Sequence, residues 1–284
     1  DQGVLSLSDL KSYEVVWRET VSFNYKEYTI HSMAPPSSGG IALAQLFKGI
    51  EKYDLDSIGL NSSEYIHLLT ELERRVYADR STHLGDPDFY NVPMDLLIDE
   101  SYIQSRMGSI DKDNKTNSED VKQGSVEFIE SHETTHFSIV DSQQNAVSIT
   151  TTLNGNFGSK LYVQGAGFLL NNEMDDFSIK SGVPNQFGLL VAEANAIEPE
   201  KRMLSSMSPT IIEKNGDLFM VIGTPGGATI ITSVFQTALN VIEFNLPINE
   251  AVNSTKTHSQ WLPDKIYYEK GMDSTLIYNL QEKG

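Results

Sequence analysis

The chain has 284 residues, 39% of them hydrophobic, enough to bury one large core or two modest ones. It carries 39 acidic against 21 basic residues, a net charge of −18, which repels phosphate backbones and anionic membranes and argues against nucleic acid as a partner. With no cysteine present, disulfides, thiolate metal sites and a cysteine nucleophile are all excluded, so any covalent chemistry falls to a hydroxyl, an amine or a carboxylate.

In chain order, Asp1-Gln2-Gly3-Val4-Leu5 has no basic segment followed by an apolar one, so no signal peptide is read there, and no later apolar run approaches the roughly 20 residues that span a bilayer. Ser8 is expected to cap a short helical turn, with strands around Val15 to Thr20 and Tyr28 to Met33. Ala34-Pro35-Pro36-Ser37-Ser38-Gly39-Gly40 reads as a loop feeding a helix from about Ile41 to Tyr53, with Ile41, Ala44, Phe47 and Ile50 on one face. A second helix starts after Ser62, its stripe running Ile66, Leu69, Leu72 and Val76 and ending near Arg80. From Gly108 to Glu133 the composition turns to Ser, Asp, Lys and Asn, which predicts an exposed, mobile segment and the main boundary of the chain. Strands are expected at about 135–141, 145–153 and 218–223, and a helix from Thr229 to Phe244 follows Pro225-Gly226-Gly227.

The segment at that boundary admits two incompatible active sites. His132-Glu133-Thr134-Thr135-His136 has the spacing of a zinc-protease helix, in which two histidines four apart share a metal. Thr135 to Val140 is β-branched and aromatic, however, with no helical stripe, and ends in the turn cluster Asp141-Ser142-Gln143-Gln144-Asn145. On a strand the two histidines lie roughly 13 Å apart, at about 3.3 Å per residue, too far for one zinc ion. His31, His67, His83 and His258 offer no obvious third ligand, so no metal is expected. The other reading is a threonine heading a strand just after a flexible linker, where cleavage would expose its α-amine. An α-amine has a pKa of about 7.7–8.0, well placed to take the proton of its own hydroxyl near neutral pH.

Seven ordered blocks then make the chain resemble the γ-glutamyltranspeptidases (γ-glutamyltransferases), a family of N-terminal-nucleophile hydrolases. They are Met33-Ala34-Pro35-Pro36-Ser37-Ser38-Gly39-Gly40, Tyr77-Ala78-Asp79-Arg80-Ser81, Leu84-Gly85-Asp86-Pro87-Asp88, Thr134-Thr135-His136-Phe137-Ser138, Asn171-Asn172-Glu173-Met174-Asp175-Asp176-Phe177, Leu204-Ser205-Ser206-Met207-Ser208-Pro209-Thr210 and Gly223-Thr224-Pro225-Gly226-Gly227. The resemblance implies an α+β fold, the αββα sandwich of stacked antiparallel sheets flanked by helices. It also implies that residues 1–133 are the end of a large subunit and 134–284 a small catalytic subunit, with more chain upstream of Asp1 and beyond Gly284.

By the same resemblance the precursor cuts itself between Glu133 and Thr134, and Thr134 then carries a γ-glutamyl ester resolved by water or by an amino acid or peptide amine. Thr152 matches the threonine that helps activate the nucleophile, and Gly226 and Gly227 match the oxyanion hole. Asn154, Glu173 and Asp176 match positions that hold the donor's α-ammonium, and Ser205 and Ser206 those that hold its α-carboxylate. Ser181 to Ala192 matches a lid loop, with Phe187 where the family often has tyrosine. The family's carboxylate-binding arginine lies in the part upstream of Asp1, so Ser205 and Ser206 are expected to have no cationic neighbour within this chain. The implied partners are a glutathione-type donor, an acceptor amine and the remainder of the large subunit, in the periplasm or outside the cell, with no cofactor. An acylase of the same fold acting on glutaryl side chains or poly-γ-glutamate, and an inactive structural fragment, remain the alternatives.

Overall fold

The computed structural model describes residues 5–121, 134–178 and 193–284. Its centre is a four-stranded antiparallel sheet in which Val21–Tyr25, Tyr28–Ser32, Thr210–Lys214 and Asp217–Ile222 lie side by side in that order. Both outer pairs are hairpins. Their tight turns use Lys26 at φ 52° and Asn215-Gly216 at φ 54° and 88°, the left-handed region that asparagine and glycine enter most easily. The alternating burial of Val21, Phe23 and Tyr25 puts one face of the sheet against helices, as expected for a half-buried antiparallel strand.

Three helices build the core on that face. Gly39–Ile50 is buried along almost its whole length, and Phe47 meets Phe23, Tyr25 and Phe235 with ring centroids 6.0, 4.9 and 4.9 Å away. Thr229–Ile242 contributes Phe235 and the stripe Ile231, Val234, Ala238 and Leu239. Ser63–His83 starts at Ser62, whose hydroxyl accepts the Tyr65 N–H, and is buried nearly all round. Several of its buried charges are paired: Arg75 donates to Glu71 at 2.6 Å, Arg74 reaches Asp264, and Arg106 meets Asp79 at 2.8 Å, whereas buried Glu73 accepts the Ser259 N–H at 2.7 Å. Helices flank antiparallel strands throughout, an α+β arrangement.

A separate hairpin, Thr134–Val140 with Ala146–Thr152, lies across the strand Asp217–Ile222. Ser138 Oγ donates to the Val221 carbonyl at 3.2 Å and Ser148 Oγ to that of Ile222 at 3.1 Å. The hairpin turn is closed by Asp141, whose Oδ1 accepts the N–H groups of Gln143 and Asn145, both at 2.8 Å. The resulting register sets Thr134 opposite Thr152 and Phe137 opposite Ile149. Phe137, Ile139, Val147 and Ile149 form an apolar ladder on the outer face, each at least 37% exposed.

Several sequence expectations are corrected. Ser6, not Ser8, caps the first helix, Leu7–Ser12, through a reciprocal pairing with Asp9. Val15 to Thr20 forms no strand, and Trp17 is 96% exposed. The segment after Gly108 is not loose throughout. Thr116 is held by the Glu71 carboxylate, and buried Ser118 donates to the Trp261 carbonyl and accepts from Arg74. The strand Thr210–Lys214 and the helices Glu100–Met107, Ile248–Asn253 and Ser274–Glu282 were not anticipated. Glu133, His132 and the lid position Phe187 lie outside the described residues.

Candidate active site

Thr134 is the first residue of its strand, and the register that pairs it with Thr152 brings the two hydroxyls to 3.4 Å. The Thr152 oxygen also accepts the Asn154 N–H at 2.9 Å, so it sits between the strand and the loop that follows. Asn154 takes a left-handed φ of 70° and is tied to the 171–172 segment through its side chain, which donates to the Asn172 carbonyl at 3.3 Å. The Asn172 side chain in turn accepts the Gly155 N–H at 2.8 Å.

Immediately after Asn172 a single 3-10 turn, Glu173–Asp176, places two carboxyl groups together. Burial raises the pKa of Glu173, and the Asp176 contact only partly offsets it. Asp176 is pushed well above the ordinary carboxylate range by burial first and by the Glu173 charge second, with Arg80 pulling the other way. Two such groups favour sharing a proton over ionising together, and a cation entering beside them would favour the ionised forms. Buried Asn195 fixes the turn, donating to the Asp176 carbonyl at 2.6 Å while its own side-chain oxygen accepts the Leu204 N–H at 2.9 Å.

The Leu204 segment carries Ser205 and Ser206 and is clamped by the Pro35–Ser38 loop. Ser205 N–H donates to the Pro36 carbonyl at 2.9 Å, Ser38 N–H to the Ser205 carbonyl at 2.8 Å, and Ser37 Oγ to the Met207 carbonyl at 2.6 Å. Gly39 stands against this segment so closely that an added Cβ would lie 2.5 Å from Ser208 Oγ. On the far side, Gly226 and Gly227 precede the helix Thr229–Ile242 at φ 136° and 54°. Among the described residues no hydrogen bond engages either amide N–H. Free amides at a helix start are suited to receive a developing negative charge.

Thr134, Thr152, Asn154, Glu173, Asp176, Ser205, Ser206 and Gly227 all line one small open pocket. Gly226 lies beside it without lining it. One lining residue was given no role from the sequence. Arg80, buried in the last turn of Ser63–His83, donates from Nε to Ser38 Oγ at 2.9 Å and from Nη2 to Ser206 Oγ at 3.0 Å. Ser206 therefore has a cationic neighbour within this chain, contrary to expectation. A signal was present, because Arg80 falls four residues after Val76 on the buried stripe. His136 is a strand residue bonded to Thr150 and Ser138, with its ring packed on Gly223, so the helical zinc site is overturned. Among the described residues no group of three or more His, Cys, Asp or Glu could hold a metal ion.

The whole chain, residues 1–284, matches the Gamma-glutamyltranspeptidase family. It is 50% identical over 273 residues to the Glutathione hydrolase proenzyme of Pseudomonas aeruginosa, an alignment covering 95% of this chain and 48% of that protein. A solved Gamma-Glutamyltranspeptidase T380A mutant from Helicobacter pylori is 55% identical over 53% of this chain and 81% of its own, with a TM-score of 0.52. A cephalosporin acylase from Bacillus halodurans shares the fold, with a TM-score of 0.81 over 99% of this chain and 48% of its own at 20% identity. The chain thus spans about half the length of the curated relatives it matches. With a family match from end to end and half of its aligned residues shared with a curated relative, this chain belongs to the γ-glutamyltranspeptidase family.

Proposed function

We propose that the protein cleaves itself between Glu133 and Thr134 and then transfers γ-glutamyl groups from glutathione-type donors to water or to amino acid and peptide amines. The observation that carries this is the convergence of the paired hydroxyls of Thr134 and Thr152 with the Glu173/Asp176 carboxyl pair and the Ser205/Ser206 hydroxyls around one pocket. A γ-glutamyl donor needs acceptors for an ammonium and donors for a carboxylate, and the pocket has both. The proenzyme name of the Pseudomonas relative agrees with a chain that matures by cleavage.

In maturation the Thr134 hydroxyl attacks the Glu133 carbonyl, the peptide shifts to an ester, and water releases residue 133 as a carboxylate and Thr134 as a free amine. In turnover that amine takes the hydroxyl proton while Thr134 Oγ1 attacks the donor's γ-carbonyl. The Gly226 and Gly227 amides stabilise the oxyanion, and the leaving amine departs with the proton. Water or an acceptor amine then attacks the ester and regenerates the hydroxyl.

The carboxyl pair favours this reading over a glutaryl acylase, because a glutaryl group has no ammonium to occupy it. Export to the periplasm or beyond belongs to the same reading. Among the described residues, no helix is long and apolar enough to cross a membrane.

The test is the intact mass of the full-length protein beside Thr134→Ala, with turnover of a γ-glutamyl anilide and of the matching glutaryl anilide. Cleavage before residue 134 and γ-glutamyl turnover are expected in the wild type and lost in the variant. Chelator-sensitive activity, or activity that survives Thr134→Ala, would refute the proposal.

A further inference from the structure

The hydroxyl protons of the two pocket serines have a direction, and Arg80 sets one of them. Arginine has five N–H donors and no acceptor, so any hydroxyl it touches must receive its hydrogen bond and turn its own proton elsewhere. Ser38 does this within the protein, accepting from Arg80 Nε at 2.9 Å and donating to the Ser205 carbonyl at 2.7 Å. Ser206 accepts from Arg80 Nη2 at 3.0 Å, and among the described residues no acceptor takes its proton. Ser205 is set up alike, because its Oγ accepts the Met207 N–H at 3.1 Å. Both serines therefore keep a proton for whatever enters the pocket, and only an acceptor satisfies both.

Arg80 is itself placed for more than packing. Its side chain is buried, it lines the pocket, and its third nitrogen, Nη1, has no hydrogen-bond partner among the described residues. Its charge also acts on Asp176, which lines the same pocket. One guanidinium thus touches the hydroxyl of Ser206 and acts electrostatically on the carboxyl pair.

We propose that Arg80 is a positioning residue for donor recognition, polarising Ser206 and fixing its hydroxyl as a donor to the substrate's α-carboxylate. The inference rests on the γ-glutamyl reading above and adds to it the residue that makes Ser206 selective for an anion. The relay makes Ser206 a stronger donor, since a hydroxyl that accepts from a cation polarises its own O–H.

The experiment compares two donors on the full-length protein: a γ-glutamyl anilide and the same compound with its α-carboxylate replaced by a carboxamide, the α-amine retained. Wild-type protein should prefer the carboxylate donor. Arg80→Gln and Arg80→Lys should lower kcat/KM for that donor by about 10- to 100-fold, mainly through KM, while the carboxamide donor changes little. Ser206→Ala leaves the guanidinium in place and should reproduce the same selective loss. The double variant Arg80→Lys/Ser206→Ala should then be little worse than either single one, because both act through one hydrogen bond.

An equal loss on both donors, in either the Arg80 or the Ser206 variants, would mean a merely structural part and overturn the relay. Unchanged discrimination would do the same. If Arg80→Gln fails to fold, Arg80→Lys and Ser206→Ala decide. Wild-type protein that turns over neither donor removes the γ-glutamyl reading itself. Wild-type protein indifferent to the carboxylate leaves that reading standing and overturns only the role of Arg80.

Discussion

Glu173 and Asp176 cannot both be ionised cheaply where they sit, and their titration should be visible in catalysis. Each has a pKa raised by burial, Asp176 further by its neighbour, so the pair still holds a proton at pH values where exposed carboxylates have lost theirs. Binding an ammonium needs the ionised form, so the acidic limb of kcat/KM is expected above the usual carboxylate range and donor binding should release a proton. Glu173→Gln removes the like charge and should move that limb to lower pH, with burial still keeping it above an exposed aspartate. A pH profile of kcat/KM for wild type and variant checks this, and a limb that stays in place would show that the pair does not control binding. Threonines and glycines of the site were legible because their blocks are distinctive in order and spacing. Arg80 was legible only as a continuation of the buried stripe after Val76, which does not show what it touches, and Asn195 was not legible at all, because an asparagine between two loops carries no sign of what it bridges.

Among the elements, the helix Gly39–Ile50 joins the sheet to the site, since its first turn packs on Ser208 and its middle carries Phe47 into the aromatic cluster. Phe47→Ala should cost about 3–5 kcal/mol of stability through the cavity it leaves. Denaturant unfolding at constant pH measures this, and a loss under about 1 kcal/mol would mean that the cluster collapses around the gap. The hairpin that starts at Thr134 was readable from β-branched residues flanking a polar turn. Val15 to Thr20 has the same composition and forms no strand, because a strand exists only when something pairs with it, and here the pairing begins at Val21. Ser63–His83 was readable from its stripe, but not its full burial, which depends on partners such as Asp264 that lie nearly two hundred residues away.

For the molecule as a whole, the features that stand out are those that a single chain leaves uncovered. Phe137, Ile139, Val147 and Ile149 form an outward apolar ladder, and Leu7, Leu10 and Trp17 add exposed apolar surface in the first helix and the segment after it. A monomeric soluble protein seldom keeps such surface open. With about half the length of its curated relatives, the 284-residue chain alone is expected to bind an apolar dye strongly and to self-associate despite a net charge of −18, and to show little donor turnover. Dye fluorescence and sedimentation against the full-length protein test this; a dye-silent, monomeric and fully active chain would contradict it. The sandwich class was legible only through resemblance, since two sheets facing each other leave no local mark in the residues that form them.

The Asp141–Asn145 turn lies at the opposite end of the hairpin from Thr134, yet it acts as a vernier for the chemistry. Side chains on a strand alternate between faces, so adding or removing one residue in that turn would shift the pairing by a step. Thr134 and Thr152 would then no longer sit opposite one another, and the contact between their hydroxyls would be lost. The pairing of the two hydroxyls is in this sense counted out from a turn at the far end of the hairpin, and a one-residue change in its length is expected to disturb the pocket as surely as a substitution at Thr134.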